Sequence, residues 1–436
     1  MLTLNREWGY KLADSFSVIS KSAHPRWLSE LLKRVSQAIN IGIRLSSIIR
    51  GEFSKAREII IMDFERRMDR LKTLGDAFSA MLSSLSFLLI AITLLSFLMG
   101  GEAKFILTLL IYVIAGIYGA FIAYSLKVSV HDRLFNGLPN GSLIVYLIEK
   151  YSPPLLVVVS LSAGLTILFS GEPNVLLSLI LPGAALAVPT FIARRVVSSI
   201  SIIDKYAPFL MKDLCETLSL TNVIERSLEV VRVNDYGPLS RHISRLHLRL
   251  KSGIDQEVAW RAFMAESGSQ LLREVGEVFI EGVKRGAPIK ELGRLLYDHL
   301  SDRLAMRRRR QQVAGYIKGL VIPITLSVSG ILGLMDTLFM TLGLISELTR
   351  GIEGMIFTFV DVGDLKIYSL LFLLVVSIGG GLFVHVVERR SFIDAIFYTG
   401  LLLSVSGTVY LVVANLAVNL LSGFTQHLFN IPGQLR

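Results

Sequence analysis

Charged residues and cysteine are both scarce in this sequence. Charged side chains make up 18% of its 436 residues, compared with about 25% in typical soluble domains. Cys215 is the single cysteine, which excludes an intramolecular disulfide and a zinc cluster held by several thiolates. The seven histidines are scattered, and the sequence has no nucleotide-binding G-x-x-x-x-G-K-[ST] loop. We therefore expect that the chain does not hydrolyse ATP itself and that it binds no metal or cofactor.

Long apolar runs are what the sequence has in excess. Hydrophobic residues make up 52% of the chain, and its mean hydropathy is +0.58. Residues 77–99, AFSAMLSSLSFLLIAITLLSFLM, contain no charge, and about 20 such residues can cross a bilayer as a helix. Further runs follow, and together they predict about seven transmembrane helices: residues 77–99, 105–126, 153–169, 175–192, 319–343, 367–387 and 395–421.

Lysine and arginine are distributed between the loops in a way that predicts orientation. They concentrate in segments 1–76, 127–152 and 193–316, whereas segment 346–366 is acidic. Basic segments near membrane helices stay in the cytoplasm, so we expect a multi-pass protein of the cell membrane with a cytoplasmic N-terminus and an external C-terminus. The predicted order is a cytoplasmic helical region at 1–76, membrane helices at 77–126, a cytoplasmic loop at 127–152, membrane helices at 153–192, a cytoplasmic helical bundle at 193–316, and membrane helices at 317–436 with an acidic external loop at 346–366.

The segment 193–316 has the apolar spacing of amphipathic helices. In residues 268–286, for example, Leu271, Val275 and Phe279 recur on one helical face. Glycine, proline and serine separate several such stretches, and no alternating β pattern competes with them. The sequence therefore predicts an all-α fold: a polytopic membrane protein with two cytoplasmic helical regions, the second of them a small antiparallel bundle.

Two basic helices are predicted to continue directly into membrane helices. Arg66, Arg67 and Arg70 precede the first apolar run, and Arg307 to Arg310 precede the fifth. This similarity suggests a diverged internal duplication. The net charge of +10 and the pI of 9.6 follow from these cytoplasmic cations. The basic balance therefore does not indicate a nucleic-acid-binding protein, and we expect no nucleic-acid partner.

Two features lie inside the apolar runs. Asp336, toward the outer end of the fifth run, is the candidate intramembrane charge. We favour a position at the membrane interface, and a role in transport is the other interpretation. One carboxylate is a poor basis for an ion or substrate pathway. The triplet Gly379-Gly380-Gly381 is expected to allow close helix packing rather than to bind phosphate.

The long cytoplasmic segment resembles the type II secretion system F domain. The resemblance rests on FLMKDLCETLSLTNVIERSLEVV and on LRLKSGIDQEVAWRAFMAESGSQLLREVGEVFIEGVKRGAPIKELGRLLYDHL, which are followed by a basic helix and an apolar run. It covers mainly residues 204–339, with a fainter similarity over residues 27–99. It is most similar to the archaeal branch, the archaellum platform and its pilus relatives. One departure is the absence of the usual glycine in the first helical hairpin, where Leu220-Thr221-Asn222 stands instead.

The resemblance implies a non-enzymatic platform beneath a filament of pilin-like subunits. Members of the family bind a cytosolic hexameric ATPase, whose motion drives extraction of pilin or archaellin subunits from the membrane and, in the archaellum, rotation. A homodimer is one arrangement by which a hexameric motor could meet a smaller symmetric axle. The kind of filament stays open: archaellum, adhesive pilus or secretion pseudopilus. The competing functions are a secondary transporter and a membrane receptor or generic scaffold.

Basic residues are the candidate docking sites for that ATPase: Arg307, Arg308, Arg309, Arg310, Lys284, Arg285, Arg66, Arg67 and Arg70. Arginine forms bidentate pairs with carboxylates, which suits an acidic partner surface. The alternative is that the arginines only set topology and bind anionic lipid headgroups, at about 1 kcal/mol each. Adjacent arginines on a helix point about 100° apart, so four in a row cannot all face one partner.

Overall fold

The computed structural model describes residues 11–24, 26–42, 45–99, 103–129, 143–169, 174–349, 362–388 and 391–429. Every regular element within these residues is helical, which confirms the all-α prediction. The chain divides into two compact units, Met1–Arg66 and Arg67–Arg436, each described by itself below. Much of the predicted loops at 127–152 and 346–366 lies outside the described residues.

The first unit is a small helical region. Its helices are α1 (Leu12–Ser22), α2 (Arg26–Ile41) and the beginning of α3 (Leu45–Met99), up to Arg66. The Ser36 hydroxyl of α2 donates a hydrogen bond of 2.7 Å to the carbonyl of Ala13 in α1. Arg34 of α2 forms a 2.6 Å ion pair with Glu52 of α3. These polar contacts connect α1 to α2 and α2 to α3. The unit has few buried apolar side chains.

The second unit contains the rest of α3 and ten further helices among its described residues. They are α4 (Ala103–Val128), α5 (Leu143–Phe169), α6 (Leu181–Thr221), α7 (Ile224–Val231), α8 (Leu239–Lys251), α9 (Gln256–Ser267), α10 (Gln270–Lys284), α11 (Ile289–Thr349), α12 (Val362–Glu388) and α13 (Phe392–Phe429), with a π-helical turn (Leu176–Ile180) before α6.

Six helices of the described chain are long and apolar enough to cross a membrane: Ile48–Leu95, Phe105–Val128, Leu176–Thr221, Ile289–Gly343, Leu365–Glu388 and Phe392–Leu421. The remaining predicted run, Pro153–Phe169, forms a shorter apolar helix. Helix α12 is the central one. Of its apolar window 72% is buried, compared with 28 to 39% in the other five.

The glycine triplet explains how α12 can occupy the centre. A Cβ on Gly379 would lie 2.9 Å from the ring of Tyr118 in α4, and one on Gly381 would lie 2.5 Å from the backbone nitrogen of Thr399 in α13. Gly380 faces α11 and α13 at slightly longer distances. The prediction that these glycines permit close helix packing is therefore confirmed.

The helical bundle of the second unit has an aromatic core. Trp260 of α9 is buried between Phe263 and Phe279, at ring-centroid distances of 5.4 and 5.1 Å. Leu271 and Val275, predicted to lie on the apolar face of α10, are also buried. Helices α6 to α10 and the first part of α11 all contribute to this core.

Helix α6 is longer than the sequence suggested. We expected the membrane helix to end at residue 192, where the predicted bundle segment 193–316 begins, but α6 runs unbroken from Leu181 to Thr221. The reason is that no helix-stop signal lies between them, and Pro208 does not end the helix. It ends instead at Asn222, whose φ of 55° is left-handed. Asparagine tolerates this conformation better than most residues. Asn222 therefore ends the helix at the place where the related domains have a glycine.

Candidate functional site

The candidate site lies where the two longest membrane helices of the F-like segment enter the bundle. Helices α6 and α11 run antiparallel to each other. Cys215 packs against Gly293, and further along the pair Asp204 contacts Arg307, so residue numbers fall on α6 as they rise on α11. A Cβ on Gly293 would collide with the Cβ of Cys215, so the missing side chain brings the two helices close together.

Arg307 is held inside the protein by a buried cluster, which we call the Asp204 cluster. The Arg307 guanidinium donates to the carboxylate of Asp204, and the Ser269 hydroxyl donates to the same carboxylate. The side chains of Arg307 and Asp204 are only 10% and 1% exposed. Ser269 is also the N-cap of α10, since its hydroxyl accepts a 3.0 Å hydrogen bond from the backbone N–H of Leu272. The ion pair thus joins α6 to α11, and the Ser269 hydrogen bonds add the N-cap of α10.

The other three arginines of the run lie in different surroundings. Arg310 is buried, at 4% exposure, Arg309 forms a 3.1 Å ion pair with Asp69 of α3, and Arg308 is exposed. The run therefore does not form one continuous surface, as the 100° spacing of adjacent residues required.

Helix α3 contacts α11 along the same stretch. The Tyr316 hydroxyl donates to the carboxylate of Asp76, and the ammonium of Lys72 lies 5.1 Å from the Tyr316 ring centroid. A Cβ on Gly75 would meet Ile317 at 2.7 Å. The two basic helices that the sequence singled out thus contact each other through two acids and a lysine of α3 and through Arg309 and Tyr316 of α11.

A second buried charge cluster, the Glu388–Asp394 cluster, joins the ends of α12 and α13 to α11 and α6. Lys318 of α11 pairs with Glu388 at the end of α12. Arg194 of α6 pairs with Asp394 at the start of α13 at 2.9 Å, and donates a 3.0 Å hydrogen bond to the Tyr398 hydroxyl. Both cations also lie over the Tyr398 ring, at 4.6 and 4.9 Å.

Sequence analysis did not single out either cluster. The signal that was available is the position of Arg194, Lys318, Glu388 and Asp394 at the ends of apolar runs, with opposite charges on different helices. The signal for Asp204 was weaker, because its partner Arg307 lies 103 residues further along the chain.

Asp336 is buried between three helices. Its carboxylate accepts hydrogen bonds from Ser369 of α12 at 2.9 Å and from Tyr410 of α13 at 2.5 Å. Helix α11 continues past it to Thr349, so the carboxylate does not sit at a helix end. Among the described residues, no group of three or more metal-binding side chains lies together.

The remaining predicted docking residues are on other surfaces. Lys284 pairs with Glu257 at 3.5 Å, and Arg285 pairs with Glu281 at 2.6 Å. Both lie at the end of α10, about 22 Å along the helix from Ser269 at its start. Arg66, in the first unit, and Arg70, in the second, are exposed, while Arg67 is partly buried.

Comparison with known proteins gives this arrangement a context. Residues 218–336 match the family model for "Type II secretion system (T2SS), protein F". The chain is 23% identical over 426 residues to Flagella accessory protein J of Methanocaldococcus jannaschii, and the alignment covers 89% of this chain and 73% of that protein. It is also 23% identical over 366 residues to Flagella accessory protein J of Methanococcus voltae, covering 79% of this chain and 62% of that protein. No solved structure matches.

The family match and the structure agree. The matched segment contains the bundle helices from α7 onward, the arginine run and α11 as far as residue 336. The chain is therefore a polytopic helical membrane protein with a type II secretion F-type segment, similar over most of its length to archaeal Flagella accessory proteins, which confirms the resemblance predicted from its sequence.

Proposed function

We propose that the protein is the membrane platform of an archaeal type IV pilus-like machine, an archaellum or a pilus. In this role it couples a cytosolic hexameric ATPase to assembly or rotation of a filament of pilin-type subunits. Its N-terminal region and its bundle face the cytoplasm, and its C-terminus lies outside. It performs no chemistry of its own.

The observation that carries this proposal is the construction of α6 and α11. Each helix belongs both to the membrane pack and to the cytoplasmic bundle, and α11 alone has 61 residues, a length of about 90 Å at 1.5 Å per residue. The two helices are joined inside the bundle by close packing at Gly293, and below it by the Asp204 cluster and the Glu388–Asp394 cluster. A displacement of the bundle is thereby carried into the membrane without a flexible linker.

Because these ion pairs between helices are buried, they fix the relative position of the helices. If the helices slid past each other, the partners of these buried ion pairs would separate. Each separation would leave an uncompensated buried charge, which costs about 3–5 kcal/mol. A relay of force needs this resistance to sliding. An enzyme or a transporter needs instead a cleft or a pathway lined by groups that meet a substrate.

The experiment that tests the proposal is direct binding. The full chain in lipid nanodiscs is mixed with the hexameric secretion-type ATPase of the same organism, and binding is measured by biolayer interferometry. Empty nanodiscs are the control. We expect saturable binding and a change in ATP turnover. In parallel, deletion of the gene should abolish the filaments seen by electron microscopy, and the wild-type gene should restore them. A well-folded protein that binds no ATPase, with filaments intact in the deletion strain, would overturn the proposal.

A further inference from the structure

Asp336 differs from the other buried carboxyl groups of the described residues. Four acidic side chains are buried there: Asp204, Asp336, Glu388 and Asp394. Three of them form ion pairs with a cation of another helix, in the Asp204 cluster and in the Glu388–Asp394 cluster. Asp336, which lies within the apolar run of α11, forms no ion pair with any described residue. Its burial therefore needs another explanation.

The hydrogen-bond partners of Asp336 are two hydroxyl groups. Ser369 of α12 donates to one carboxyl oxygen at 2.9 Å, and Tyr410 of α13 donates to the other at 2.5 Å. Both of these residues are themselves buried. On α11, Leu332 and Phe339 lie one turn before and one turn after Asp336 and are buried as well. The groups in contact with the carboxyl group are thus uncharged and come from three helices.

Lys366 is the cation whose charge acts on this site. It lies on α12, almost one turn before Ser369, and its charge reaches the carboxyl group of Asp336. The Lys366 side chain is partly exposed, so it does not enclose the carboxyl group as Arg307 encloses Asp204. Tyr410, from α13, is the other titratable group beside Asp336.

The packing at this level favours a proton over a larger cation. A Cβ on Gly333, about one turn before Asp336, would lie 2.6 Å from the backbone carbonyl oxygen of Tyr410, so the backbones of α11 and α13 are in contact here. Among the described residues, Asp336 belongs to no group of three or more metal-binding side chains. A hydrated metal ion or the ammonium group of a partner would need the helices to separate, whereas a proton needs no extra space.

A proton removes the cost of burying this carboxyl group. An ionised carboxylate without a cation is strongly disfavoured in apolar surroundings. The carboxylic acid fits the same contacts, because one oxygen accepts from Tyr410 while the O–H of the other donates to the Ser369 hydroxyl. Ser369 can then donate its own hydrogen to the carbonyl one turn earlier on α12, as serines within helices do. Each polar group of the site then has an uncharged partner.

We propose that Asp336 is a proton-binding site of the membrane helices, which holds a proton while α11, α12 and α13 are packed together and releases it when they separate. In the release, the O–H bond of the carboxylic acid breaks, the proton passes to water, and the electron pair stays on the carboxylate. The inference does not depend on the proposed function. If that function also holds, a movement that parts α11 from α12 and α13 is accompanied by the exchange of one proton.

The first test is the infrared spectrum of the full chain in nanodiscs of ether lipids, which contribute no ester carbonyl band. A carboxylic acid has a C=O band that is separate from the bands of carboxylates and amides and that shifts in heavy water. We expect this band in the wild type at neutral pH and its loss in Asp336→Asn. Tyr410→Phe and Ser369→Ala each remove one hydrogen bond and should shift the band without abolishing it. A wild-type spectrum without the band, or a band that Asp336→Asn leaves unchanged, would overturn the proposal.

A matched pair of asparagine substitutions gives a second readout. Asparagine resembles the uncharged acid in shape and charge, so Asp336→Asn should change the unfolding temperature by less than about 2 °C. Asp394→Asn leaves the cation of Arg194 without its buried partner and should lower the unfolding temperature by at least about 4 °C. Equal losses in the two variants would mean that Asp336 is ionised, and the proposal would be wrong.

The pH dependence of stability follows from the same proton. An aspartate exposed by unfolding is ionised at neutral pH, so the folded protein holds one proton more than the unfolded chain. Stability then falls as the pH rises, by up to about tenfold in the folding equilibrium constant per pH unit, until the folded protein also loses the proton. Asp336→Asn should remove this contribution. The two pH profiles are compared by reversible unfolding in mixed micelles, and identical profiles would contradict the proposal.

Two further measurements separate the alternatives. If the carboxylic acid band is absent from the wild type and appears in Lys366→Gln, Lys366 keeps Asp336 ionised and the proposal is overturned. If the unfolding temperature of the wild type rises with sodium at constant pH and that of Asp336→Asn does not, the site binds a metal ion instead. We expect neither result.

Discussion

The guanidinium groups of Arg307 to Arg310 are neighbours in sequence and have four different surroundings. Arg307 is sealed into an ion pair, Arg308 faces solvent, Arg309 crosses to α3, and Arg310 is buried. The helical rotation of 100° per residue could be read from the sequence, and it correctly excluded a single common partner. Which arginine meets which acid could not be read, because Asp204 and Asp69 are distant in sequence and belong to other helices.

The first prediction concerns the Asp204 cluster. Arg307→Gln should lower the free energy of unfolding by about 3 kcal/mol, because it leaves a buried carboxylate without its cation. Arg308→Gln, one residue further along and exposed, should change it by less than about 0.5 kcal/mol. Both are measured by thermal unfolding of the purified protein in detergent. Equal effects of the two substitutions would contradict the structure of the cluster.

At the scale of elements, the helices themselves were largely readable. Charge-free runs predicted the membrane helices, and apolar spacing predicted the helices of the bundle. The continuity of α6 was missed, since the change from an apolar to an amphipathic pattern after residue 192 suggested a boundary where the backbone has none. Patterns of hydrophobicity report the surroundings of a helix, whereas its continuity depends on the lack of a stop signal.

The second prediction uses the glycine triplet of α12. Gly381→Ala should destabilise the protein by about 1–3 kcal/mol, because its methyl group would meet the backbone of Thr399, which cannot move without shifting α13. Gly380→Ala meets only the side-chain ends of Val321 and Leu402, at 3.0 and 3.1 Å, and should cost less than about 1 kcal/mol. The measurement is the unfolding temperature of each variant in the same detergent. A larger loss for Gly380→Ala would mean that the packing of α12 differs from that described.

At the scale of the whole molecule, the sequence predicted a multi-pass helical membrane protein that carries a helical bundle, and the long apolar helices agree with it. The orientation of its termini stays a prediction from the distribution of lysine and arginine. The contacts that connect the bundle to the membrane helices could not be predicted from the sequence. They depend on pairs such as Lys318 with Glu388 and Arg194 with Asp394, whose members come from four different helices.

The third prediction tests the continuity of α11 between bundle and membrane. Gln311 is exposed, so Gln311→Pro removes little packing but eliminates one backbone hydrogen bond and kinks the helix. We expect the ATPase still to bind, and filament assembly to be lost. Gln311→Ala keeps the helix intact and should assemble filaments normally. Binding is measured in nanodiscs and assembly by electron microscopy of cells. Normal filaments with Gln311→Pro would show that an unbroken α11 is not required.

The Glu388–Asp394 cluster has a mechanical consequence. It fixes α11 to the end of α12 and α6 to the start of α13, and under the proposed function this level would be the fulcrum of a lever. Residues 289–318 of α11 form one arm of a lever, about 44 Å long, and residues 318–343 form the other, about 38 Å long. A tilt of about 5° would move the bundle end by about 4 Å and the outer end by about 3 Å in the opposite direction. Under the proposed function, a push on the bundle would then reach the other end of α11 with its direction reversed.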